Sequence, residues 1–202
     1  MPCQPHRTAS TRKQASLPAR GAFYNKLIRK GHRILDYGCG RGSDVVWLCR
    51  MGMDAVGYDP HEPFGYGVLP EGQFDGVLCT YVVNTLSTRG ARLMALRYAW
   101  GFVAPGGYLL VAARCAKDVQ EAADRRSWPV HNDGYWSNET QGMFQKGHTQ
   151  EDLLQLARDM QTLFEPAGEM SDPKPYVGDK GYVSVLLWKS TTPSGGPGSA
   201  AL

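Results

Sequence analysis

The chain has 202 residues, 42% hydrophobic and 20% charged, with a net charge of +3, a profile that fits one α/β domain burying ~70% of its extended surface. No apolar run approaches the ~18 residues needed to span a bilayer and no apolar signal core opens the chain, so neither a membrane span nor a secretory leader is expected. Five cysteines (Cys3, Cys39, Cys49, Cys79, Cys115), odd in number, scattered and without metal-ligand spacing, argue against a disulfide framework or a metal site and for reduced thiols in a cytoplasmic setting.

Charge is uneven along the chain. Residues 1–33 hold eight of the 22 Lys and Arg residues and no acid, which leaves 14 bases against 19 acids in the rest, a net of −5. A basic arm on an acidic body suits an anionic partner, nucleic acid included, or an anionic substrate. An acid-free, Ser- and Thr-containing start also has the composition of a transit peptide, but Pro2, Pro5 and Pro18 interrupt an amphipathic helix there. Residues 1–20 therefore read as a basic arm free to be flexible, 21–190 as the domain, and 191–202 ("TTPSGGPGSAAL") as a disordered tail.

Between the ends, strands and helices alternate, which predicts a mostly parallel sheet wound on both faces. "RILDYG" (33–38) reads as a first strand. "SDVVWLCRMG" (43–52) reads as a helix with Ser43 as N-cap and Gly52 as its stop. "DAVGYDP" (54–60) is a second strand and "FDGVLCTYV" (74–82) a third, apolar enough to be buried on both faces. "TRGARLMALRYAWGFV" (88–103) is a helix whose Leu93, Leu96, Trp100 and Val103 share a face. After the turn "APGG" comes the strand "YLLVAAR" (108–114). Residues 115–147 read as an irregular insertion, a cover for a substrate. "TQEDLLQLARDMQTLF" (149–164) opens with Thr149 and Asp152 in a capping-box spacing, and "GYVSVLLWK" (181–189) is the final strand. Only 15 residues separate Asp59 from Asp75, too few for a full helix–strand–helix crossover, so the connection after the second strand must be abbreviated.

The stretch "LDYGCGRGSD" (35–44) carries the chemistry. A dinucleotide fingerprint wants G-x-G-x-x-G, and here Ser43 stands at the third glycine while Gly42 falls one residue early. Asp36, two residues before Gly38, would repel a pyrophosphate but attract the ammonium group of S-adenosylmethionine. No G-K-[ST] follows, which excludes a P-loop. Asp59 ends the second strand, where an acid accepts ribose hydroxyls in nicotinamide and S-adenosylmethionine sites alike.

Asp36-Tyr37-Gly38-Cys39-Gly40-Arg41-Gly42 matches the D/E-x-G-x-G-x-G turn of the class I S-adenosylmethionine-dependent methyltransferases, and "VGYDP", "FDGVLCTYVVNTL" and "APGGYLLVAAR" resemble that family's later segments. The likeness spans roughly residues 30–114. It implies a three-layer, doubly wound α/β sheet of seven strands, mostly parallel with an antiparallel last strand, and S-adenosylmethionine as cofactor. On this likeness Asp36, Tyr37, Gly38, Cys39, Gly40, Gly42, Tyr58, Asp59, Pro60 and Thr80 would hold the cofactor. A narrower likeness, carried by "LDYGCGRGSDV", "YVVNTL" and "FQKGHTQEDL", is to prokaryotic methyltransferase-like proteins associated with DNA phosphorothioation.

The resemblance implies methyl transfer by in-line displacement, which needs alignment more than a dedicated acid–base pair. Thr80-Tyr81-Val82-Val83-Asn84 lacks the prolines of amino-directed DNA methyltransferases. Tyr81 and Asn84 are candidates for the active-site edge, against packing and helix-capping roles respectively. Arg114 could meet an anion. His131, Asp133, Tyr135 and Trp136 form a compact polar–aromatic group, with His131 the candidate base and Tyr135 an acceptor contact. Two rivals stand beside the methyltransferase reading: a cofactor-binding regulatory or complex subunit without transfer, and a nicotinamide oxidoreductase.

Overall fold

A computed structural model describes residues 2–164, 170–177 and 181–191; residues 192–202 of the expected tail lie outside them. In chain order the strands are β1 Arg33–Tyr37, β2 Asp54–Tyr58, β3 Phe74–Thr80, β4 Val103–Arg114, β5 Val130–His131, β6 Gly134–Asn138, β7 Met143–Gln145, β8 Lys174–Pro175 and β9 Tyr182–Trp188. The helices are α1 Leu17–Tyr24, α2 Ser43–Arg50, α3 Arg89–Gly101, α4 Ala116–Arg126 and α5 Gln150–Phe164.

Six strands form one sheet in the order β2-β1-β3-β4-β9-β8. β1 pairs in parallel with β2 and β3, and β3 with β4, while β9 runs antiparallel to β4 from Tyr108↔Trp188 to Arg114↔Tyr182. Alternation along the strands decides the layers. Ile34, Leu78 and Leu110 face Ala19 and Ala22 of α1 and Leu48 of α2. Leu35, Val77, Cys79, Leu109 and Val111 face Leu93, Leu96 and Trp100 of α3 and Leu153 and Met160 of α5. Each fully buried leucine, isoleucine, valine or methionine among them contributes about 1.5–3 kcal/mol. This is the three-layer α/β sheet, mostly parallel with a reversed strand, that the resemblance implies.

Several details depart from expectation. The sheet has six strands among the described residues, not seven, because residues 60–73 hold a 3-10 turn (Glu62–Phe64) and no strand. β2 is consequently the sheet's edge. Helix α2 is capped by Gly42 in the left-handed region, not by Ser43, whose Oγ instead accepts a hydrogen bond from Arg12 N–H. Helix α3 ends at Gly101, so Val103 is buried as the first residue of β4. Residues 115–147 are ordered as α4 and a small antiparallel sheet, β5-β6-β7. The hairpin turns at Asn132 and Asp133, with Asn132 at φ 51°. The Thr149–Asp152 capping box forms in both directions, at 2.9 and 3.0 Å.

The basic arm lies against the domain. Gln4 N donates to Gly142 O at 2.8 Å, a 3-10 turn follows at Pro5–Thr8, and Ser16 caps α1 by accepting from Ala19 N. Buried Asp44 at the start of α2 accepts from both Ser16 N (2.7 Å) and Ser16 Oγ. No helix among the described residues is long and apolar enough to cross a membrane.

Candidate active site

The carboxyl edge of β1 to β4 opens into a cavity of about 1140 Å³, the edge at which parallel sheets of this kind bind ligands. Its wall at β1 is the turn into α2. Gly38, Gly40 and Gly42 have φ of 77°, 56° and 72°, values that L side chains rarely adopt. A Cβ on Gly38 would strike Val82 Cγ2, and one on Gly42 would strike the Tyr66 ring. The turn is tied to the end of β2: Gly38 N (2.7 Å) and Cys39 N (3.1 Å) both donate to Tyr58 O. Asp59 Oδ2 accepts from Gly40 N and Asp59 Oδ1 from His61 N, each at 2.9 Å.

Three carboxylates converge on this turn. Asp36, Asp44 and Asp59 are 3%, 1% and 8% exposed. Burial, reinforced by Asp44, holds the Asp36 carboxyl well above the usual carboxylate range, with Arg12 opposing. Arg12 Nη2 lies 3.7 Å from Asp44 Oδ1. Arg12 answers only part of that acidity, a setting that opposes a diphosphate more than a cationic ligand.

Of the residues expected to hold cofactor, Tyr37, Gly38, Cys39, Gly40, Tyr58, Asp59, Pro60 and Thr80 line the cavity, whereas Asp36 and Gly42 are not part of its lining. Tyr81 and Asn84 also line it. Tyr81 has φ 60°, a strained conformation for a bulky residue at a strand's carboxyl end. Its phenol is pushed up to about 12 by burial, so at neutral pH it is a hydrogen-bond donor and not a base.

His131 and Tyr135 are elsewhere, outside the cavity lining. The β5–β6 hairpin stacks His131 on Trp136 (ring centroids 4.4 Å apart) and directs Tyr135 Oη to Gln120 Oε1. Asp133 is taken by Arg92 and Lys146. From residues 115–147 only Asp118 and Gln145 reach the cavity. Arg114, expected to meet an anion, donates through Nε (3.0 Å) and Nη2 (2.6 Å) to Asp118 Oδ2.

The roof of the cavity comes from the N-terminal arm. Pro5, His6, Ala9, Ser10 and Arg12 line the cavity from above. His6 stacks on His61 with centroids 3.9 Å apart, and burial, then His61, lowers the His6 pKa. Arm residues far from the motif carry no periodic or motif signal, so only the absence of acids hinted at them.

Residues 9–163 match a family model described as a methyltransferase domain. No curated protein matches the sequence. Solved structures similar in fold include a SAM-dependent methyltransferase from Methanosarcina mazei (13% identity, 88% of this chain and 98% of that one covered, TM-score 0.58). Another is 1,6-didemethyltoxoflavin-N1-methyltransferase from Burkholderia thailandensis, solved with its substrate and S-adenosylhomocysteine (18%, 86% and 77%, TM-score 0.55). A third is a possible histamine N-methyltransferase from Thermotoga maritima (16%, 86% and 92%, TM-score 0.55). The chain belongs to the methyltransferase domain family, and its α/β fold is the one found in SAM-dependent methyltransferases of known structure.

Proposed function

We propose that the glycine turn receives the methionine end of S-adenosylmethionine, with Asp36 acting on its ammonium group through that turn, that Asp59 receives its ribose, and that the methyl acceptor is a small molecule enclosed beneath the arm. The three buried carboxylates at a turn with no room for a Cβ carry this reading. The bound cofactor supplies an electrophilic methyl group. The protein's own contribution is to align an acceptor and exclude water, and such positioning is worth up to ~7–11 kcal/mol. The cavity exceeds the ~300–1,000 Å³ of a single-ligand cleft, which leaves space for cofactor and acceptor together, and the roof of residues 5–12 closes over both. The toxoflavin enzyme, of similar fold, acts on a compact heterocycle. Calorimetry tests the cofactor assignment: S-adenosylhomocysteine should bind and NADH should not, and the opposite ranking would sink it. Incubation with labelled S-adenosylmethionine and a panel of small amines, phenols and heterocycles should release S-adenosylhomocysteine with some member.

A nucleic-acid acceptor is the second reading. It draws on the acid-free first 33 residues and on the likeness to prokaryotic proteins associated with DNA phosphorothioation, and the odd, scattered cysteines suit a cytoplasmic enzyme. Oligonucleotide binding that weakens steeply with salt, with label transferred to the strand, would favour it.

A further inference from the structure

A guanidinium has donors only, and that fact orients a buried amide pair at the β3–β4 end of the cavity. Arg114 donates through Nη1 to Gln145 Oε1 at 3.4 Å. Asn84 reaches the same oxygen at 3.2 Å, and so must use Nδ2. Asn84 Oδ1 is left over, buried and without a partner. Among the described residues that carry such an atom, Asn84 is the one that lines the cavity. The residue is only 2% exposed and its main-chain carbonyl accepts from Lys146 N at 2.8 Å, so it cannot swing out to find water. Buried acceptors are almost always satisfied.

Resting on the reading of this cavity as a methyltransferase site, we infer that Asn84 is the specificity residue of the acceptor end, and that it takes an N–H or O–H of a neutral, planar acceptor. The topology lays the cavity out accordingly, with the cofactor turn at β1 and β2 and this network at the turn after β3, the end of β4 and β7 of the small sheet. Neutrality follows from Arg114: its charge is met by Asp118, whose carboxylate would oppose an anionic acceptor. Planarity follows from Tyr81, whose ring lines the same cavity and lies close enough to Arg114 to feel its charge. Gln145 and Arg114 are positioning residues that fix which face Asn84 shows.

Ligand-observed NMR on the full chain, saturated with S-adenosylhomocysteine, tests this with matched probes. The pairs are benzimidazole and 1-methylbenzimidazole, indole and 1-methylindole, and phenol and anisole, with benzoate and phenyl phosphate as anions. The donor-bearing members should bind at least about tenfold more tightly than their methylated partners and than the anions. Asn84→Leu should abolish the preference while S-adenosylhomocysteine affinity stays within twofold. Gln145→Met, which frees Asn84 to turn, should reduce the preference without removing it, and it serves if the first variant fails to fold. Equal binding within pairs, tighter anions, a preference unmoved by both variants, or no probe bound at all would overturn the inference. Calorimetry of S-adenosylhomocysteine on the same samples separates the two failures: binding of that ligand with no donor preference sinks only the role of Asn84, whereas its loss in the unaltered chain sinks the underlying site.

Discussion

At the β1–β2 end of the cavity the groups that shape the wall are chiefly main chain: the amides of Gly38, Cys39, Gly40 and His61 and the carbonyl of Tyr58, all drawn from residues 38–61. At the β3–β4 end the shaping groups are side chains from residues 84, 114, 118 and 145, which meet only because the turn after β3, the end of β4, α4 and β7 come together. The first kind of wall depends on the path of the main chain and on the Asp59 carboxylate that ties it, and it admits no Cβ at Gly38 or Gly42. The second tolerates backbone neighbours of many types but loses its pattern with one donor or acceptor exchanged. Acceptor choice can thus change in this fold while the cofactor turn stays as it is.

The contrast can be broken most forcibly at the backbone end. Gly38→Val adds a branched Cβ at φ 77° against Val82. Strain and overpacking together should remove about 2–5 kcal/mol of stability in urea unfolding and leave no measurable S-adenosylhomocysteine binding. A variant that retained both would show the turn to be softer than its geometry implies.

Acid should act on the other end. His148, beside Arg114 in the bridge between residues 115 and 148, is 1% exposed, with both ring nitrogens buried and unpartnered. Burial lowers its pKa from 6.5 to about 4. Above pH 6.5 the ring is neutral folded and unfolded, and stability is unaffected. Between 6.5 and about 4 the unfolded chain takes the proton first, so stability falls as pH falls, by about 3 kcal/mol at most. His148→Phe should flatten that limb of an unfolding-free-energy profile, and an unchanged slope would assign the acid sensitivity elsewhere.

Asp59→Ala sharpens the comparison from the cofactor side. Each charge-assisted bond it makes to a ribose hydroxyl is worth about 1.5–3 kcal/mol, so calorimetry should read a loss of roughly ten- to a hundred-fold in affinity per bond. Unchanged affinity would remove Asp59 from the ribose site. The smallest effect is expected from Asp36→Asn, which discharges a buried acid. The cofactor-free protein should gain about 1 kcal/mol of stability, while affinity for the cofactor product falls. A loss of stability with affinity intact would mean that Asp36 serves the fold alone.

Legibility in the sequence follows the same division. The run from Asp36 to Asp59 announces itself because its chemistry is local: glycines at left-handed positions and acids at strand ends appear in order along the chain. The order of β1, α2, β2, β3, α3 and β4 is legible for the same reason, through alternation and helical spacing. The hairpin in residues 115–147 was missed although Asn132-Asp133-Gly134 is a turn signal, since β5 and β7 are too short to show a period. His131 and Tyr135 looked reactive by residue type, yet their direction depends on that hairpin, which no spacing reveals. Asn84 was weighed as a helix cap, and its tie to Gln145 spans 61 residues. The arm as a roof rests on Ser16 meeting Asp44, a pair 28 residues apart that no local spacing reveals.

The short run between β2 and β3 also bears on how this domain can be rebuilt. Tyr66 from that run lies over Gly42 and Gly57, and its carbonyl receives the amide of Asp59. The loop and the turn are therefore cast against each other. A longer crossover transplanted from a seven-stranded homologue would displace the Tyr66 ring and unseat the glycine bend, whereas exchanging both pieces as one cassette should preserve it.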